Sequence, residues 1–514
     1  MARVALIKPF TGLNLGVSQL AGELRRAGHD AQIIYFKDYI IVPQAEAVHY
    51  PQNDLCGIWV AARANEMNCN CYKPFTAREY ELLFDTLRRF QPDLIGLSLC
   101  SVPFRECAEI TARIKQQFDV PVIWGGSGAT LEPERALQHA DLVCTGEGEG
   151  LIVDLAEALD AGRDYSRTPN LAFKRDGQVV RNPNRPMVDL EAIAIPDFDP
   201  AHTVYINDDR RFYDVYPPNL GRQYHIMTQR GCPYSCSFCI ESWYQDEYGK
   251  KDSLRRRSVD AVIQELVQAK AKYGVGAVMF YDDVFTSHPK WLREFAPRYK
   301  AEVGLPFWCY TYPRTTRKDD ILMLKDAGLS SVTMGVQSGS MEVLKEYNRP
   351  VPLQMAIDAA NILVECGVPA FFDLITRSPS ETEATCRGTF EFLVDFPREM
   401  QTVGFYPMVK FPGYSYTKRT EDLNAVLTDA DYYYYHKLYL LTRTALPREV
   451  VRGLGASPTI RREPDLLDPL LPDKLPFFYL DNYALDLSTA FGSTTDLDDD
   501  RVPAAPNAPL AAVG

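Results

Sequence analysis

Three cysteines stand close together near the middle of the chain, at Cys232, Cys236 and Cys239, with the spacing C-x3-C-x2-C. Thiolates are soft ligands that favour zinc, copper and iron–sulfur clusters. A [4Fe–4S] cluster usually takes four cysteine thiolates, so a motif with three would leave one iron open to another ligand. The spacing alone also allows a zinc site completed by a distant side chain, or three thiols without a metal.

The residues around the cysteines narrow this choice. A strand-like run, residues 224–229, precedes them, Arg230-Gly231 turns the chain into the loop, and Phe238 directly precedes the last cysteine. Together these residues closely resemble the radical S-adenosylmethionine (radical SAM) enzymes. The resemblance implies that the three cysteines hold a [4Fe–4S] cluster whose open iron chelates SAM. The reduced cluster would then cleave SAM to a 5′-deoxyadenosyl radical.

Composition excludes several other functions. The 514 residues predict about two to four domains. The net charge of −13 argues against a broad nucleic-acid surface. There is no run of about 18 apolar residues that would predict a membrane span, and the N-terminal residues indicate a first strand, not a signal peptide. Twelve cysteines in such a chain predict reduced thiols and a cytoplasmic protein.

Residues 1–160 show strands alternating with helices. Short apolar runs occur at residues 4–7, 31–36, 94–99, 120–124 and 142–144. This spacing predicts a doubly wound, Rossmann-like parallel sheet of the α/β class. Ligands of such sheets bind beyond the carboxyl ends of the strands. Small residues dominate there, so the backbone could approach a large flat ligand, although a phosphate or nucleotide site is also consistent with them.

Two strings, residues 125–133 and 140–149, resemble the cobalamin-binding domain that precedes the radical domain in one large subfamily. Ser127 stands where that subfamily usually has His. The cobalamin-binding residues that the resemblance implies are Thr11, Gly12, Leu13, Ser98, Ser101, Gly125, Gly126, Gly128, Thr130, Gly146, Glu147, Gly148 and Glu149. The loop after the first strand, residues 8–16, contains no His. We therefore expect cobalamin to bind with its own base displaced and without a His in its place.

Two segments interrupt this pattern. Residues 40–90 look like an insertion, and Cys69 and Cys71 within it are interpreted as plain thiols because no second pair accompanies them. Residues 161–215 are rich in Pro, Asn, Asp and Arg. Within them, Asp176-Gly177 predicts a hairpin turn between two short strands. We interpret residues 161–215 as a stiff linker packed across both domains.

A second alternating pattern covers residues 216–413. Its predicted strands are residues 224–229, 277–281, 307–311, 331–336, 370–375 and 403–409. Helical stretches separate them, for example residues 259–273 and 353–366. Six repeats are too few for a closed eight-stranded barrel. They resemble the six-stranded partial TIM-type (β/α)6 barrel of radical SAM enzymes.

The strand ends of this barrel carry motifs of the same family. Tyr281 to Asp283 match the segment that binds the SAM amino group, although Asp283 could instead cap a helix. The Gln337-Ser338 pair resembles the family's Glu-Ser, with an amide in place of the acid. Arg349 stands where an arginine often reaches the SAM carboxylate, although a surface arginine is the alternative. The SAM-binding residues implied are Phe238, Tyr281, Asp282, Asp283, Thr311, Gln337, Ser338 and Arg349.

The fifth predicted strand runs into a segment that matches the family only in part. Pro379, Glu381 and Thr382 agree with the usual Gly-Leu-Pro-Gly-Glu-Thr near adenine, whereas Arg377 and Ser380 do not. The adenine contact therefore stays open, and Arg377 could face the substrate.

The alternation stops after about residue 413. Residues 414–490 are predicted to form a small helical region, and residues 491–514 a disordered tail. Four consecutive tyrosines, residues 432–435, suggest a helix buried on several sides. Core packing is the default interpretation, with a substrate wall as the alternative.

The resemblance implies a cobalamin-dependent radical SAM enzyme that methylates an unactivated carbon of a small molecule through methylcobalamin. An electron donor such as flavodoxin or ferredoxin would reduce the cluster. Cyclisation, oxidation or ring rearrangement with the same cofactors is the main alternative. A methylthiotransferase would need a second cysteine triad, which the other nine cysteines do not form. The SAM motifs argue against a cobalamin- or nucleotide-binding sensor, because such a protein would not need them.

Overall fold

The computed structural model describes residues 1–10, 15–43, 58–60, 67–72, 74–99, 104–213 and 223–471. Its strands form two large sheets and one short ribbon. In chain order the strands are β1 (Arg3–Pro9), β2 (Asp30–Phe36), β3 (Tyr39–Pro43), β4 (Ile58–Val60), β5 (Met67–Tyr72), β6 (Leu94–Ser98), β7 (Val122–Gly125), β8 (Leu142–Cys144), β9 (Leu171–Arg175), β10 (Gln178–Arg181), β11 (Thr203–Asn207), β12 (Arg210–Tyr213), β13 (Gln223–Ile226), β14 (Gln229–Arg230), β15 (Arg255–Arg256), β16 (Ala277–Phe280), β17 (Phe307–Thr311), β18 (Leu329–Gln337), β19 (Ala370–Thr376) and β20 (Gln401–Pro407).

The α-helices lie mostly between the parallel strands. In chain order they are α1 (Leu15–Arg26), α2 (Ala77–Phe90), α3 (Phe104–Lys115), α4 (Ser127–Leu131), α5 (Pro133–Ala136), α6 (Glu149–Asp160), α7 (Ile240–Tyr248), α8 (Lys250–Ser253), α9 (Val259–Tyr273), α10 (Pro289–Arg298), α11 (Lys318–Ala327), α12 (Met341–Glu346), α13 (Leu353–Glu365), α14 (Glu383–Asp395), α15 (Ser415–Thr420), α16 (Asp429–Leu441), α17 (Arg448–Gly455) and α18 (Pro458–Arg462). In the part of the chain that the structure describes, no helix has the length and apolar character needed to cross a bilayer.

The first sheet confirms the predicted doubly wound domain. Its strand order is β10-β9-β8-β7-β6-β1-β2-β11-β12, and the strands from β8 to β11 are parallel. The two sides of this sheet bury separate hydrophobic clusters, one against α1 and α6 and the other against α2 and α3. The predicted hairpin is confirmed as β9 and β10.

The linker interpretation is wrong for most of residues 161–215. Four strands from this segment extend the first sheet, with β9 and β10 at one edge and β11 and β12 at the other. The stretch between β10 and β11 contacts the barrel domain, where Arg255 of the ribbon strand β15 donates to the Val188 carbonyl at 2.6 Å. Lys272 also pairs with Asp199 at 2.9 Å. Local composition missed β11 because its partner, β2, is far away in sequence.

The second sheet confirms the six parallel strands of the partial barrel. Its order is β13-β16-β17-β18-β19-β20-β4-β5-β3. Strands β13 and β16 to β20 run parallel, and their outer side packs on helices in one large core. A central strand such as β16 is buried at every position, which explains its continuous apolar sequence.

The segment interpreted as an insertion, residues 40–90, divides between the two sheets. Strands β3, β4 and β5 extend the barrel sheet antiparallel beside β20. Helix α2 instead belongs to the first domain, so the insertion is shorter than predicted. This helix starts with a capping box between Thr76 and Glu79, and the Glu79 carboxylate also accepts a hydrogen bond from Lys37 at 2.6 Å. The side chains of Cys69 and Cys71 lie outside the described residues.

The helical region after residue 413 is confirmed as far as residue 471, and the predicted tail lies outside the described residues. Three of the four consecutive tyrosines are buried in α16, namely Tyr432, Tyr434 and Tyr435. Tyr434 donates to the Gly455 carbonyl at 2.9 Å, and Tyr435 to the Glu383 carbonyl at 3.2 Å. These contacts join α16 to α14 and α17, so core packing accounts for the tyrosines.

Candidate active site

The carboxyl ends of the barrel strands surround a cavity of about 350 Å³, called here the barrel cavity. All three cysteines of the motif line it, together with side chains from β17, β18, β19 and the segment after β16. The complete lining is Cys232, Tyr234, Cys236, Phe238, Cys239, Tyr281, Asp283, Val284, Tyr310, Thr311, Tyr312, Gly335, Gln337, Arg349 and Asp373.

The cysteine loop is shaped by a turn and by one glutamine. Gly231 has φ of 87°, and a Cβ there would lie 2.2 Å from the Ser253 carbonyl oxygen, so the turn requires glycine. From α7, the Gln245 amide donates to the carbonyls of Cys232 at 2.7 Å and Tyr234 at 2.9 Å. These bonds fix the first half of the loop before a cofactor binds.

The three cysteines all line the barrel cavity, which has room for a ligand larger than a single ion. In a cubane cluster each thiolate binds a different iron, so the cysteines surround a volume. Burial raises the pKa of Cys232 to about 12 and that of Cys239 well above its usual value. Such thiols stay protonated at neutral pH unless a metal replaces the proton.

Six of the eight predicted SAM-binding residues line the barrel cavity: Phe238, Tyr281, Asp283, Thr311, Gln337 and Arg349. Burial, followed by the neighbouring Asp282, raises the pKa of Asp283 to about 6. One Asp283 carboxylate oxygen is buried and has no hydrogen-bond partner. An unsatisfied buried carboxylate beside the cysteines fits a cationic or hydrogen-bond-donating ligand, because burial without a partner is costly.

Asp282 does not line this cavity. It is fully buried, and its carboxylate accepts hydrogen bonds from the backbone amides of Thr228 and Gln229 and from the Thr228 hydroxyl. This position does not support the predicted contact between Asp282 and SAM, and the carboxylate holds the segment that leads from β13 to the cysteines.

Ser338 is also outside the lining of the barrel cavity. It is buried, and its hydroxyl accepts from the Ser340 amide at 3.1 Å and lies 3.3 Å from the Thr389 hydroxyl. The predicted SAM contact is thus replaced by a role in shaping the turn after β18. Gln337, at φ of 72°, ends that strand and turns its side chain into the cavity.

The sequence analysis missed Asp373 and Tyr310, which also line the barrel cavity. Asp373 lies in β19 between two glycines of the neighbouring strands, Gly335 and Gly404. Burial raises the pKa of Asp373 to about 7, and one of its buried carboxylate oxygens has no hydrogen-bond partner. An acid in an otherwise apolar strand, Ala370–Thr376, was the available sequence signal.

A second cavity of about 270 Å³ lies between the first sheet and the barrel, and is called here the interdomain cavity. Seven predicted cobalamin-binding residues line it: Ser98, Gly125, Gly126, Gly146, Glu147, Gly148 and Glu149. Apolar side chains of α1 and α6 line its inner part, including Val17, Leu20 and Ile152. A large, partly apolar ligand fits these small and apolar residues.

The remaining cobalamin predictions fall outside this lining. The Thr130 hydroxyl accepts from the Gly146 amide at 3.0 Å, and the Gly128 amide donates to the Leu99 carbonyl at 3.0 Å. Both residues therefore stabilise the loops that line the interdomain cavity, and direct contact from either is not supported. Thr11, Gly12, Leu13 and Ser101 lie outside the described residues.

Glu147 and Glu149 connect the two domains. Glu147 accepts hydrogen bonds from Arg230 at 2.9 Å and from Arg255 at 2.8 and 3.0 Å, and Glu149 accepts from Arg230 at 2.5 Å. Burial alone would raise the pKa of Glu147, but the two arginines together lower it. The acids that the sequence analysis gave to cobalamin are therefore paired with barrel residues next to the cysteine loop.

The two cavities share one stretch of chain. Met227 and Arg230 line the interdomain cavity, and Cys232 lines the barrel cavity. A ligand in either cavity would therefore contact the same short segment after β13.

Comparison with known proteins agrees with this geometry. Residues 57–156 match the B12 binding domain, and residues 226–393 match the radical SAM superfamily. The chain therefore contains a radical SAM domain together with a B12-binding domain. A radical SAM domain implies a [4Fe–4S] cluster and SAM, and a B12-binding domain implies cobalamin.

Two curated proteins are similar in sequence to this chain. An uncharacterized methyltransferase of Pyrococcus horikoshii is 29% identical over 60% of this chain and 65% of its own length. The anaerobic magnesium-protoporphyrin IX monomethyl ester cyclase of Rubrivivax gelatinosus is 26% identical over 68% of this chain and 63% of its own length. The chain thus spans a little under two thirds of each relative.

Among solved structures, the radical SAM methyltransferase TsrM from Kitasatospora setae, with tryptophan substrate and a SAM analogue bound, has a similar fold. It gives a TM-score of 0.58 at 18% identity and covers 82% of this chain and 76% of that chain. This likeness shows a shared fold.

Proposed function

We propose that the chain is a cobalamin-dependent radical SAM methyltransferase that acts on an unactivated carbon of a small-molecule substrate. The observation that carries the proposal is the shared segment after β13, because it borders both the cysteine-lined cavity and the cavity at the B12-binding loops. Carbon methylation needs a hydrogen-abstracting centre and a methyl carrier close to one substrate atom. A substrate between the two cavities would meet both.

The chain's own residues have separate roles in this proposal. Cys232, Cys236 and Cys239 hold the cluster. Asp283 accepts hydrogen bonds from the SAM ammonium group, and Arg349 donates to its carboxylate. Asp373 has a free carboxylate oxygen that could accept from a SAM hydroxyl, with Gln337 beside it on the next strand.

The cofactors supply the chemistry that side chains lack: the cluster would deliver the electron that cleaves SAM, and cobalamin would carry the methyl group. The protein excludes water and fixes positions, which its buried, aromatic-lined barrel cavity suits. The proposal includes a one-electron donor such as flavodoxin or ferredoxin and a reducing, cytoplasmic setting.

The first experiment tests the cluster. Changing Cys232, Cys236 and Cys239 together to Ala should abolish the visible absorbance of the cluster and the formation of 5′-deoxyadenosine, while cobalamin stays bound. A matched variant changes Cys309, Cys366 and Cys386, which do not line the barrel cavity, and should keep its iron. About four irons per chain in the first variant would contradict the assignment.

A cyclase-type or other rearranging reaction is the second candidate, because one relative is a cyclase. The two reactions differ in how they use SAM. Methylation consumes one SAM as methyl donor, leaving S-adenosylhomocysteine, and a second one as hydrogen abstractor. Incubation with methyl-deuterated SAM and a panel of small molecules should give a product that carries the CD3 group. Product formation without label and without S-adenosylhomocysteine would favour the cyclase.

A further inference from the structure

Arg349 contacts a sulfur atom of the cysteine motif. The guanidinium Nη1 donates to Cys236 Sγ at 3.5 Å, and Nη2 donates to the Gly335 carbonyl at 2.6 Å. The guanidinium carbon lies 4.2 Å from the centre of the Tyr312 ring. Arg349 and Cys236 are each only 7% exposed, so water screens this contact little.

The surrounding chain holds Arg349 in this position. Asn348 takes a left-handed conformation with φ of 51°, and its side chain donates to the Ser235 carbonyl at 2.6 Å, next to Cys236. On the other side, a Cβ at Gly335 would lie 3.2 Å from Nη2 of Arg349. The cysteine loop and the arginine are therefore tied together, and β18 has glycine where the guanidinium approaches.

Among the described residues Arg349 forms no direct ion pair, although its charge acts on the Asp373 carboxylate in the same cavity. A buried cation normally needs a nearby anion. A [4Fe–4S] core of charge 2+ with three thiolates carries a net charge of −1. After the core takes up one electron, the net charge is −2. The cluster would therefore place an anion in direct contact with the Arg349 guanidinium through Cys236 Sγ, and its reduced form would pair with Arg349 more strongly.

We propose that Arg349 raises the reduction potential of the cluster by donating to Cys236 Sγ. Hydrogen bonds to cluster sulfurs and nearby charge are among the factors that set this potential. The step affected is the transfer of one electron from a reduced flavin or iron–sulfur protein to the cluster, which goes from 2+ to 1+ while the donor is oxidised. The inference rests on the cluster assignment proposed above and adds to the role of Arg349 toward the SAM carboxylate.

The test compares Arg349→Gln with Arg314→Gln in the full chain, loaded with cluster and cobalamin but without SAM. Arg314 is a matched control, since it is an exposed arginine two residues from Tyr312 that donates to the Pro350 carbonyl at 3.1 Å. The cluster is poised at fixed potentials, and its reduced fraction is measured by electron paramagnetic resonance. In Arg349→Gln the ratio of reduced to oxidised cluster should fall about tenfold, which is 59 mV for a one-electron couple. In Arg314→Gln it should stay within about twofold of wild type.

Equal potentials in the two variants would overturn the proposal. If the Arg349→Gln variant holds less iron than wild type, the Arg349→Lys variant is measured in its place. The lysine keeps the charge but loses the fork that reaches both sulfur and carbonyl. The ratio of reduced to oxidised cluster should then fall about threefold, and an unshifted potential would overturn the proposal. The triple-cysteine variant tests the cluster assignment separately, because it reports iron content and not potential.

Discussion

At the scale of single residues, Asp282 and Asp283 show how two adjacent carboxylates face different surroundings. Successive side chains near a strand end point in opposite directions. Asp283 faces the barrel cavity with one oxygen unpartnered, whereas Asp282 points away and binds the Thr228–Gln229 backbone. We infer that Asp282 supports the chain before the cysteines and that Asp283 meets the ligand.

This difference gives a prediction for paired variants. Asp282→Ala leaves buried backbone donors without a partner, so it should lower the free energy of unfolding by about 2–4 kcal/mol. Asp283→Asn should change that free energy little but weaken SAM binding by about 1–3 kcal/mol. Urea unfolding and calorimetric SAM titration measure the two effects. An unchanged unfolding free energy in Asp282→Ala, together with weaker SAM binding, would restore a direct SAM contact for that residue.

The opposite directions of successive side chains explain which residues of the site the sequence could predict and which it could not. The cysteine spacing and the strand-end motifs placed six of the eight SAM candidates at the barrel cavity. A motif match does not say which way a side chain points, so Asp282 and Ser338 were misplaced. Asp373 was missed because it lies within β19, ahead of the segment that the motif covers.

At the scale of elements, the loop after β1 is where a histidine ligand for the cobalt of bound cobalamin would be expected. Its sequence, residues 8–16, contains no His, and no His is among the described residues that line the interdomain cavity. A nitrogen donor below cobalt would stabilise the methyl-bearing form and make methyl release to a carbon radical harder.

We therefore expect electron paramagnetic resonance of the Co(II) form to show cobalt lines without nitrogen splitting. The sample is the full chain loaded with cobalamin, with free base-on Co(II) cobalamin as the reference that shows three-fold splitting. Three-fold splitting in the protein sample would reveal an axial nitrogen and contradict the prediction.

Elements with local partners were predicted well, and elements with distant partners were not. The six βα repeats of the barrel follow from periodicity, because each barrel strand pairs with the next barrel strand along the chain. Strands β11 and β12 and strands β3 to β5 join sheets far from their own sequence neighbours. Nothing in their local pattern identifies the sheet that they extend.

At the scale of the whole molecule, Glu147 holds the B12-binding domain against the barrel through Arg230 and Arg255. Its pKa is lowered from the ordinary value of 4.5 in the folded chain. The pairing therefore stabilises the fold at neutral pH, and this contribution declines below the unfolded pKa and is lost as the pH falls through the lowered folded pKa.

Glu147→Gln should consequently lower the free energy of unfolding at pH 7 by about 3 kcal/mol, because the partly buried Arg255 loses its charged partner and Arg230 keeps only Glu149. The difference from wild type should shrink at pH 4. Cobalamin affinity should also fall, since the Glu147 loop lines the interdomain cavity. Glu134→Gln, which breaks an exposed pair with Arg181, is the matched control. Equal effects of the two variants in urea unfolding would show that the domain contact contributes little.

The pairing of β4 with β20 cannot form during translation until most of the chain has been synthesised. Translation proceeds at about 5–20 residues per second, so roughly 20–70 s separate the synthesis of these two strands. During that time β4 lacks the neighbour, β20, with which it pairs in the complete fold. Unpaired strand edges attract other chains. The nascent protein is therefore most exposed to intermolecular pairing while its second half is still being made.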